Sequence, residues 1–203
     1  EHILVVLDAA YAEYSNDPEQ GLRLLPQREN LLVLRTFSKA YGLAGLRIGY
    51  AMGQPEVIAR LQSQCQQFHV NRIAQAAALA ALEDQAHLKH GLQNNLVCRQ
   101  KLSTGLRKSG IAHLPSYTNF ILLHCGRSRE TTVALQAYGL MVKPLERFGL
   151  HEFIRVSIGL PDTIELLLVA LKDIQLNNPW FPVSNDNAAT PPQPCFGDKL
   201  WRY

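Results

Sequence analysis

The stretch Arg35-Thr-Phe-Ser-Lys-Ala-Tyr-Gly-Leu-Ala-Gly-Leu-Arg-Ile-Gly49 decides how the rest of the chain is interpreted. It starts at the end of Leu31–Arg35, a continuous apolar run typical of a strand in a sheet covered on both faces. The hydroxyls of Thr36 and Ser38 come just before Lys39. Because ligands in open α/β sheets bind beyond the carboxyl ends of strands, this stretch predicts a ligand site in an α/β fold.

The residue types in this stretch suit a phosphate-bearing aldehyde. The two hydroxyls, backbone N–H groups freed by glycine and the guanidinium fork of Arg47 together form a phosphate cradle. Lys39, beside that cradle, could act as an amine nucleophile on a carbonyl. Pyridoxal 5'-phosphate would use all of these groups at once. The alternative is a surface loop with solvated charges. The chain contains neither a G-x-x-x-x-G-K-[ST] phosphate loop nor a G-x-G-x-x-G fingerprint.

A second group of residues, in Leu4-Val-Val-Leu-Asp-Ala-Ala-Tyr11, favours the same cofactor. Asp8 ends another apolar run, and a carboxylate against a pyridine nitrogen keeps the ring protonated, so that it can accept electrons. At about 4 Å and an effective dielectric constant of about 20, such a pair is worth up to ~4 kcal/mol. Tyr11 could donate a hydrogen bond to the ring oxygen. The alternatives are a helix or turn cap for Asp8 and interface packing for Tyr11.

Composition argues against several other classes of function. The 203 residues are 47% hydrophobic and 18% charged, which is ordinary for a globular protein. The net charge of +3 comes without a dense basic run, so we expect no nucleic-acid or membrane partner, and no apolar run reaches the ~18 residues of a membrane helix. The four cysteines form no C-x-x-C pair, which suits the cytoplasm better than a disulfide framework. His87 and His90 lack accompanying ligands, so no metal site is expected.

The sequence indicates parts of two domains and a tail. It begins at Glu1 rather than Met and enters an apolar run at once, so we expect a piece of a longer protein with no signal peptide. The predicted parts are a large-domain portion at residues 1–71, a helical connector at 72–105, a small α+β domain at 106–176, and a poorly ordered Pro-rich tail at 177–203. In the tail, the candidate docking points are Trp180, Phe181 and Trp201. Strands are predicted at 3–7, 31–35, 46–50, 120–124, 140–142 and 153–157. Helices are predicted at 55–68, at 72–106 as two helices or one long bent helix, and at 130–138 and 161–174.

Three motifs resemble the class I/II, fold-type I pyridoxal-phosphate aminotransferases. They are VVLDAAYAEY at residues 5–14, LRTFSKAYGLAGLRIGY at 34–50 and IRVSIG at 154–159. The similarity runs from residue 1 to about residue 176, and within the group the chain most resembles the histidinol-phosphate aminotransferases. The resemblance implies an α/β fold, with the C-terminal part of a fold-type I PLP-transferase large domain followed by a small α+β domain.

The resemblance also implies which residues bind the cofactor: Asp8, Tyr11, Thr36, Ser38, Lys39 and Arg47. Lys39 would be the Schiff-base lysine and the proton shuttle, Asp8 would pair with the pyridine nitrogen, and Tyr11 would bond the ring oxygen. The side chains of Ser38 and Arg47 would hold the phosphate, with Thr36 as a weaker candidate.

For the substrate, the resemblance implies Arg155 and Lys143. Arg155 lies where the family places an arginine that grips the anionic group of the substrate, because a guanidinium fork matches carboxylate and phosphate alike. The alternative for Arg155 is a structural ion pair. Two departures stand out: Ala9 replaces the usual glutamate, and Lys143 precedes Pro144 where relatives often carry arginine, which supplies charge without the fork.

The implied reaction is reversible amino transfer between L-glutamate (giving 2-oxoglutarate) and imidazole-acetol phosphate (giving histidinol phosphate) in L-histidine biosynthesis. An aromatic aminotransferase, an amino-acid-phosphate decarboxylase, and a catalytically incomplete fragment acting as a binding module are the alternatives. The resemblance further implies a homodimer with shared active sites for the full-length protein.

Overall fold

A computed structural model describes residues 3–182 of the chain. It divides into two compact units, Glu1–Asn94 and Asn95–Tyr203, and the boundary falls inside a helix, α4 (Gln85–Lys108). The finer division at residues 71 and 105 stays a prediction.

The first unit is built on a three-stranded sheet in the order β1-β2-β3, with β1 at Val5–Asp8, β2 at Leu31–Thr36 and β3 at Gly49–Gly53. Strand β1 runs parallel to β2, whereas β3 is antiparallel to it. The helices of this unit are α1 (Gln20–Leu24), α2 (Pro55–Gln64), α3 (Arg72–Glu83) and the first part of α4.

The core of the first unit follows β2 and the turn after it. Leu31, Leu32 and Val33 are buried, and Phe37 packs in a cluster completed by Ile48, Ala74 and Ala78. The two alanines lie four residues apart on α3, so they face the same side of that helix. The start of α3 is fixed by Asn71, whose Oδ1 accepts a hydrogen bond from the N–H of Ala74 at 2.9 Å.

Two expectations for this sheet are wrong. The run at 3–7 enters a strand only at Val5, and its side chains are exposed, Val6 by 52%, because the described residues do not cover both faces of β1. The strand expected at 46–50 begins at Gly49, because a 3-10 turn at Ala44–Leu46 occupies its start. It is antiparallel to β2, since residues 37–48 contain no full helix to return the chain for a parallel pairing.

The second unit is a small α+β arrangement with a three-stranded antiparallel sheet in the order β4-β6-β5. Its strands are β4 (Phe120–His124), β5 (Lys143–Leu145) and β6 (Leu150–Ser157), and its helices are the rest of α4, α5 (Ser128–Gln136) and α6 (Pro161–Asn177). The core joins one face of each long helix to the sheet. Its fully buried members include Cys98, Leu102, Leu106, Ile121, Leu123, Ile154 and Leu171.

The elements of the second unit follow the sequence expectations with local shifts. Strand β4 has the bounds predicted for it. The strand expected at 140–142 is wrong, since the pairing starts at Lys143, after Gly139 at φ 72° ends the turn that follows α5. Helix α6 extends to Asn177, three residues beyond its predicted end. Phe181 is buried in the core with 3% of its surface exposed, as expected for a docking residue. Residues 183–203, with Trp201, lie outside the described residues.

Candidate functional site

The carboxyl ends of β1 and β2 lie side by side in the first unit. Asp8 is the register partner of Leu34, and the N–H of Ala9 donates to Leu34 O at 2.9 Å. The segments that follow the two strands therefore leave the same edge of the sheet, and Lys39 Nζ lies 5.4 Å from the centroid of the Tyr11 ring. The structure thus brings together the amine and the phenol that the sequence placed 28 residues apart.

Asp8 is exposed at this edge. Its Oδ1 accepts a hydrogen bond from the N–H of Ala10 at 3.1 Å, so the turn cap considered from the sequence is present. A carboxylate has two oxygens and about four acceptor positions, so capping the turn leaves it able to face a cationic ring nitrogen as well.

The groups expected to hold a phosphate also come together. Arg47 Nη1 lies 3.4 Å from Ser38 Oγ and donates to Ala44 O at 2.9 Å. The N–H of Ser38 donates to Thr36 Oγ1 at 3.0 Å, so Thr36 shapes the turn while its own hydroxyl proton remains a possible donor. A guanidinium and a hydroxyl that converge at an exposed turn match the acceptor oxygens of a phosphate, and this donor set fits the cofactor named above.

Arg47 has an unusual backbone. Its φ of 52° lies in the left-handed region, which costs a residue other than glycine about 1–2 kcal/mol. Backbone strain of this kind concentrates at binding and catalytic sites. The strained backbone of Arg47 is therefore consistent with the phosphate-binding role predicted for it from the sequence.

Sequence reasoning missed a buried ion pair behind this edge. Arg35 Nη1 donates to Glu13 Oε1 at 2.8 Å, and the two side chains are only 6% and 8% exposed. The sequence did contain a signal for this pair. Arg35 lies two residues from Val33 and from Phe37, so it shares their buried side of the chain, where a charge requires a partner.

The Phe37 ring packs against two tyrosines that lie near this pair. The Phe37 ring centroid lies 5.0 Å from that of Tyr41 and 5.5 Å from that of Tyr50. Burial raises the pKa of both tyrosines above its ordinary value, while the nearby Glu13 carboxylate raises each pKa and the Arg35 guanidinium lowers it by smaller amounts. The phenols therefore stay protonated at neutral pH and keep a proton to donate.

In the second unit, the two residues expected to bind substrate are cross-strand partners. Lys143 on β5 lies opposite Arg155 on β6, so both side chains leave the same face of the sheet. The Arg155 Cζ lies 5.2 Å from the Phe120 ring centroid, and its Nε is buried without a hydrogen-bond partner. No carboxylate in residues 3–182 forms an ion pair with Arg155, which speaks against the structural ion pair considered from the sequence.

Two further features bear on the class of site. Within the part of the chain that the structure describes, no group of three or more His, Cys, Asp or Glu side chains is arranged to hold a metal ion. None of the described helices combines the length and the apolar character needed to cross a bilayer.

The family follows from comparison with known proteins. The sequence model described as aminotransferase class I and II matches residues 1–171. The chain belongs to this family. The α/β fold expected from the sequence is confirmed, since the chain matches solved fold-type I aminotransferases.

Individual members of the family resemble the chain over part of their length. The histidinol-phosphate aminotransferase of Akkermansia muciniphila is 40% identical over 174 residues, which cover 86% of this chain and 48% of the relative. An aromatic amino acid aminotransferase of Nocardia farcinica is 45% identical, covering 82% and 47%. The crystal structure of histidinol-phosphate aminotransferase from Sinorhizobium meliloti in complex with pyridoxal-5'-phosphate has a TM-score of 0.73 and 34% identity, covering 86% and 49%. The chain therefore spans about half the length of the curated relatives it matches.

Proposed function

We propose that the protein is a pyridoxal-phosphate-dependent aminotransferase that exchanges an amino group between L-glutamate and imidazole-acetol phosphate. The observation that carries the proposal is the edge where Lys39 and Tyr11 meet at the ends of two parallel strands, beside the converging Ser38 and Arg47 side chains. The relatives named histidinol-phosphate aminotransferase support the choice of substrate.

Each residue at this edge would bind a different part of the cofactor. Lys39 Nζ would bond the aldehyde carbon, Ser38 Oγ and the Arg47 guanidinium would hold the phosphate, and Thr36 would brace their turn. The Asp8 carboxylate would face the ring nitrogen and the Tyr11 hydroxyl would donate to the ring oxygen. When bound, the pyridinium ring supplies the electron sink that makes the α-proton of an amino acid removable.

Lys39 would have a second task. Once displaced by an incoming amine, its Nζ would be free to take the proton from the substrate Cα as a general base and to deliver the same proton to the cofactor carbon as a general acid. The Asp8 carboxylate would stabilise the positive charge on the ring while this happens, because opposite charges at hydrogen-bond distance favour the ionised form of each.

Arg155 and Lys143 would bind the anionic end of the substrate. The unpartnered buried Nε of Arg155 supports this role, because a buried donor without a partner is costly until a ligand oxygen satisfies it. The guanidinium suits both the carboxylate of glutamate and a phosphate monoester. Lys143 adds a positive charge opposite Arg155 but no second fork.

A second candidate, aromatic amino transfer, is favoured by the 45% identity to the Nocardia farcinica aromatic amino acid aminotransferase. Homodimer formation belongs to the same proposal, since the family that the sequence resembles forms homodimers. A cytoplasmic location also belongs to it, since cysteines without a C-x-x-C pair suit a reducing compartment. Sedimentation of the protein and fractionation of cells test these two statements.

The test of the main proposal is spectroscopic and then kinetic. Incubation with pyridoxal phosphate should produce an absorbance band near the visible edge that borohydride bleaches, and Lys39→Ala should abolish it. Lys89→Ala, at an exposed position of α4, is the matched control and should keep the band. Rates with imidazole-acetol phosphate and with an aromatic 2-oxo acid then separate the two substrates. Absence of the band from the full-length protein would favour the alternative of a binding module.

A further inference from the structure

The Glu13–Arg35 ion pair joins the two arms of the proposed site. Glu13 lies in the 3-10 turn Ala12–Tyr14, which comes directly after Tyr11. That turn is tied back to the Tyr11 segment, since the N–H of Tyr14 donates to Tyr11 O at 3.1 Å and the N–H of Ala12 donates to Ala9 O at 3.1 Å. Arg35, at the other end of the ion pair, lies on β2 four residues before Lys39.

Arg35 also holds the chain beyond the turn. Its Nη2 donates to Pro18 O, while its Nη1 bonds Glu13 at 2.8 Å. One guanidinium therefore fixes two points of the segment that follows β1, and it does so from inside the protein, where water competes little for its donors.

The pair is a poor device for stability alone. Glu13 Oε2 and Arg35 Nε are both buried without a hydrogen-bond partner among the described residues. Two apolar side chains of similar volume would often stabilise such a place as well or better, because a buried ion pair must offset the desolvation of both charges. The hydrogen bonds of the pair are directional, so they fix the position of one backbone segment relative to another, which apolar packing does not.

We propose that Glu13 and Arg35 are positioning residues that lock the Asp8–Tyr11 segment onto the strand leading to Lys39. Neither side chain touches the cofactor in this scheme. They hold the groups for the ring nitrogen and ring oxygen at a fixed distance from the lysine. The inference rests on the proposed function for its consequence in cofactor binding, but the lock itself is a property of this chain alone.

The test uses the whole chain and removes both charges together. The double variant Glu13→Gln with Arg35→Met leaves no uncompensated buried charge and keeps side-chain volume, so it avoids the unfolding that a single change risks. The control is Asp17→Asn with Arg23→Met, which removes an exposed ion pair from the same segment. Amide hydrogen exchange of residues 9–14 is measured without cofactor, and the pyridoxal phosphate dissociation constant is measured from the lysine-dependent absorbance band.

We expect exchange at residues 9–14 to become faster in the double variant and to stay unchanged in the control. The dissociation constant should rise at least about tenfold, since misplacing Asp8 or Tyr11 would weaken a hydrogen bond to the cofactor and a loss of about 1.4 kcal/mol corresponds to a factor of ten. Unchanged exchange in the double variant would overturn the lock. Faster exchange with an unchanged dissociation constant would overturn its role in the site. A wild-type protein with no band would instead reject the proposed function, and the exchange data would still decide the lock.

Discussion

Gly49 offers a sharp test of the geometry between β2 and β3. It is the register partner of Thr36, two residues after Arg47, and a Cβ built on it would lie 2.7 Å from the backbone oxygen of Arg35. Ordinary contacts of a Cβ begin at 3.4 Å. The substitution Gly49→Ala therefore forces the two strands apart by about 0.7 Å, because the atom it meets is backbone and cannot rotate away.

That displacement sets the size of the effect. The hydrogen bond from the N–H of Phe37 to Ile48 O, now 3.2 Å, would lengthen beyond the usual limit for a hydrogen bond. Overpacking of this kind typically costs about 1–3 kcal/mol. We therefore expect Gly49→Ala to lower the free energy of unfolding by about 1–3 kcal/mol and to weaken pyridoxal phosphate binding, since the distance between Ser38 and Arg47 depends on the same two strands.

The matched control is Gly91→Ala. Gly91 is exposed inside α4, in the same unit of the chain, and apart from its chain neighbours and the backbone of its own helix no atom lies within 4 Å of an added Cβ. Alanine there should stabilise the protein by about 0.5–1 kcal/mol, because glycine is a weak helix former. Urea denaturation followed by circular dichroism measures both variants. A Gly49→Ala protein as stable as the Gly91→Ala protein would refute the close approach of the two strands.

Three other outcomes are expected. Arg47→Gly should relieve the left-handed backbone and raise the free energy of unfolding by about 1 kcal/mol in urea denaturation, while spectroscopic titration should show weaker pyridoxal phosphate binding. Burial lowers the pKa of His113, so the unfolded chain binds more protons and stability falls as pH drops from about 7 through 6.5 toward the folded-state pKa; His113→Asn should flatten this dependence in denaturation series. Burial raises the pKa of the Cys125 thiol to about 11, so iodoacetamide at pH 8 should label exposed Cys65 and spare Cys125, as judged by peptide mass spectrometry.

The elements that the sequence predicted well are those whose signal is local. Strands β2 and β4 are continuous apolar runs followed by polar turn residues, and both appear within one residue of their predicted bounds. The family could also be predicted from a local signal, because the motif around Lys39 holds the lysine and the turn residues in one stretch. The match of the family model to residues 1–171 confirms that prediction.

What the sequence could not predict depends on partners that are distant along the chain. The apolar run of β1 predicts a buried strand, but burial requires elements on both faces, and the described residues do not supply them. The partner of Arg35 is 22 residues away, in a turn with no apolar periodicity. The direction of β3 depends on the turn before it, whose left-handed residue is an arginine that no propensity assigns to that conformation.

Positions 47 and 49, at the end of this turn and the start of β3, both have a backbone that favours glycine, but only one of them is glycine. At residue 49 the strands approach too closely for any side chain, and the chain has glycine. At residue 47 the left-handed φ would be met at least cost by glycine, and the chain has arginine. If stability alone governed the turn, both positions would be glycine. We therefore propose that the arginine stands here because of its guanidinium beside Ser38, and that its backbone strain would be the cost of binding the cofactor phosphate rather than a contribution to the fold.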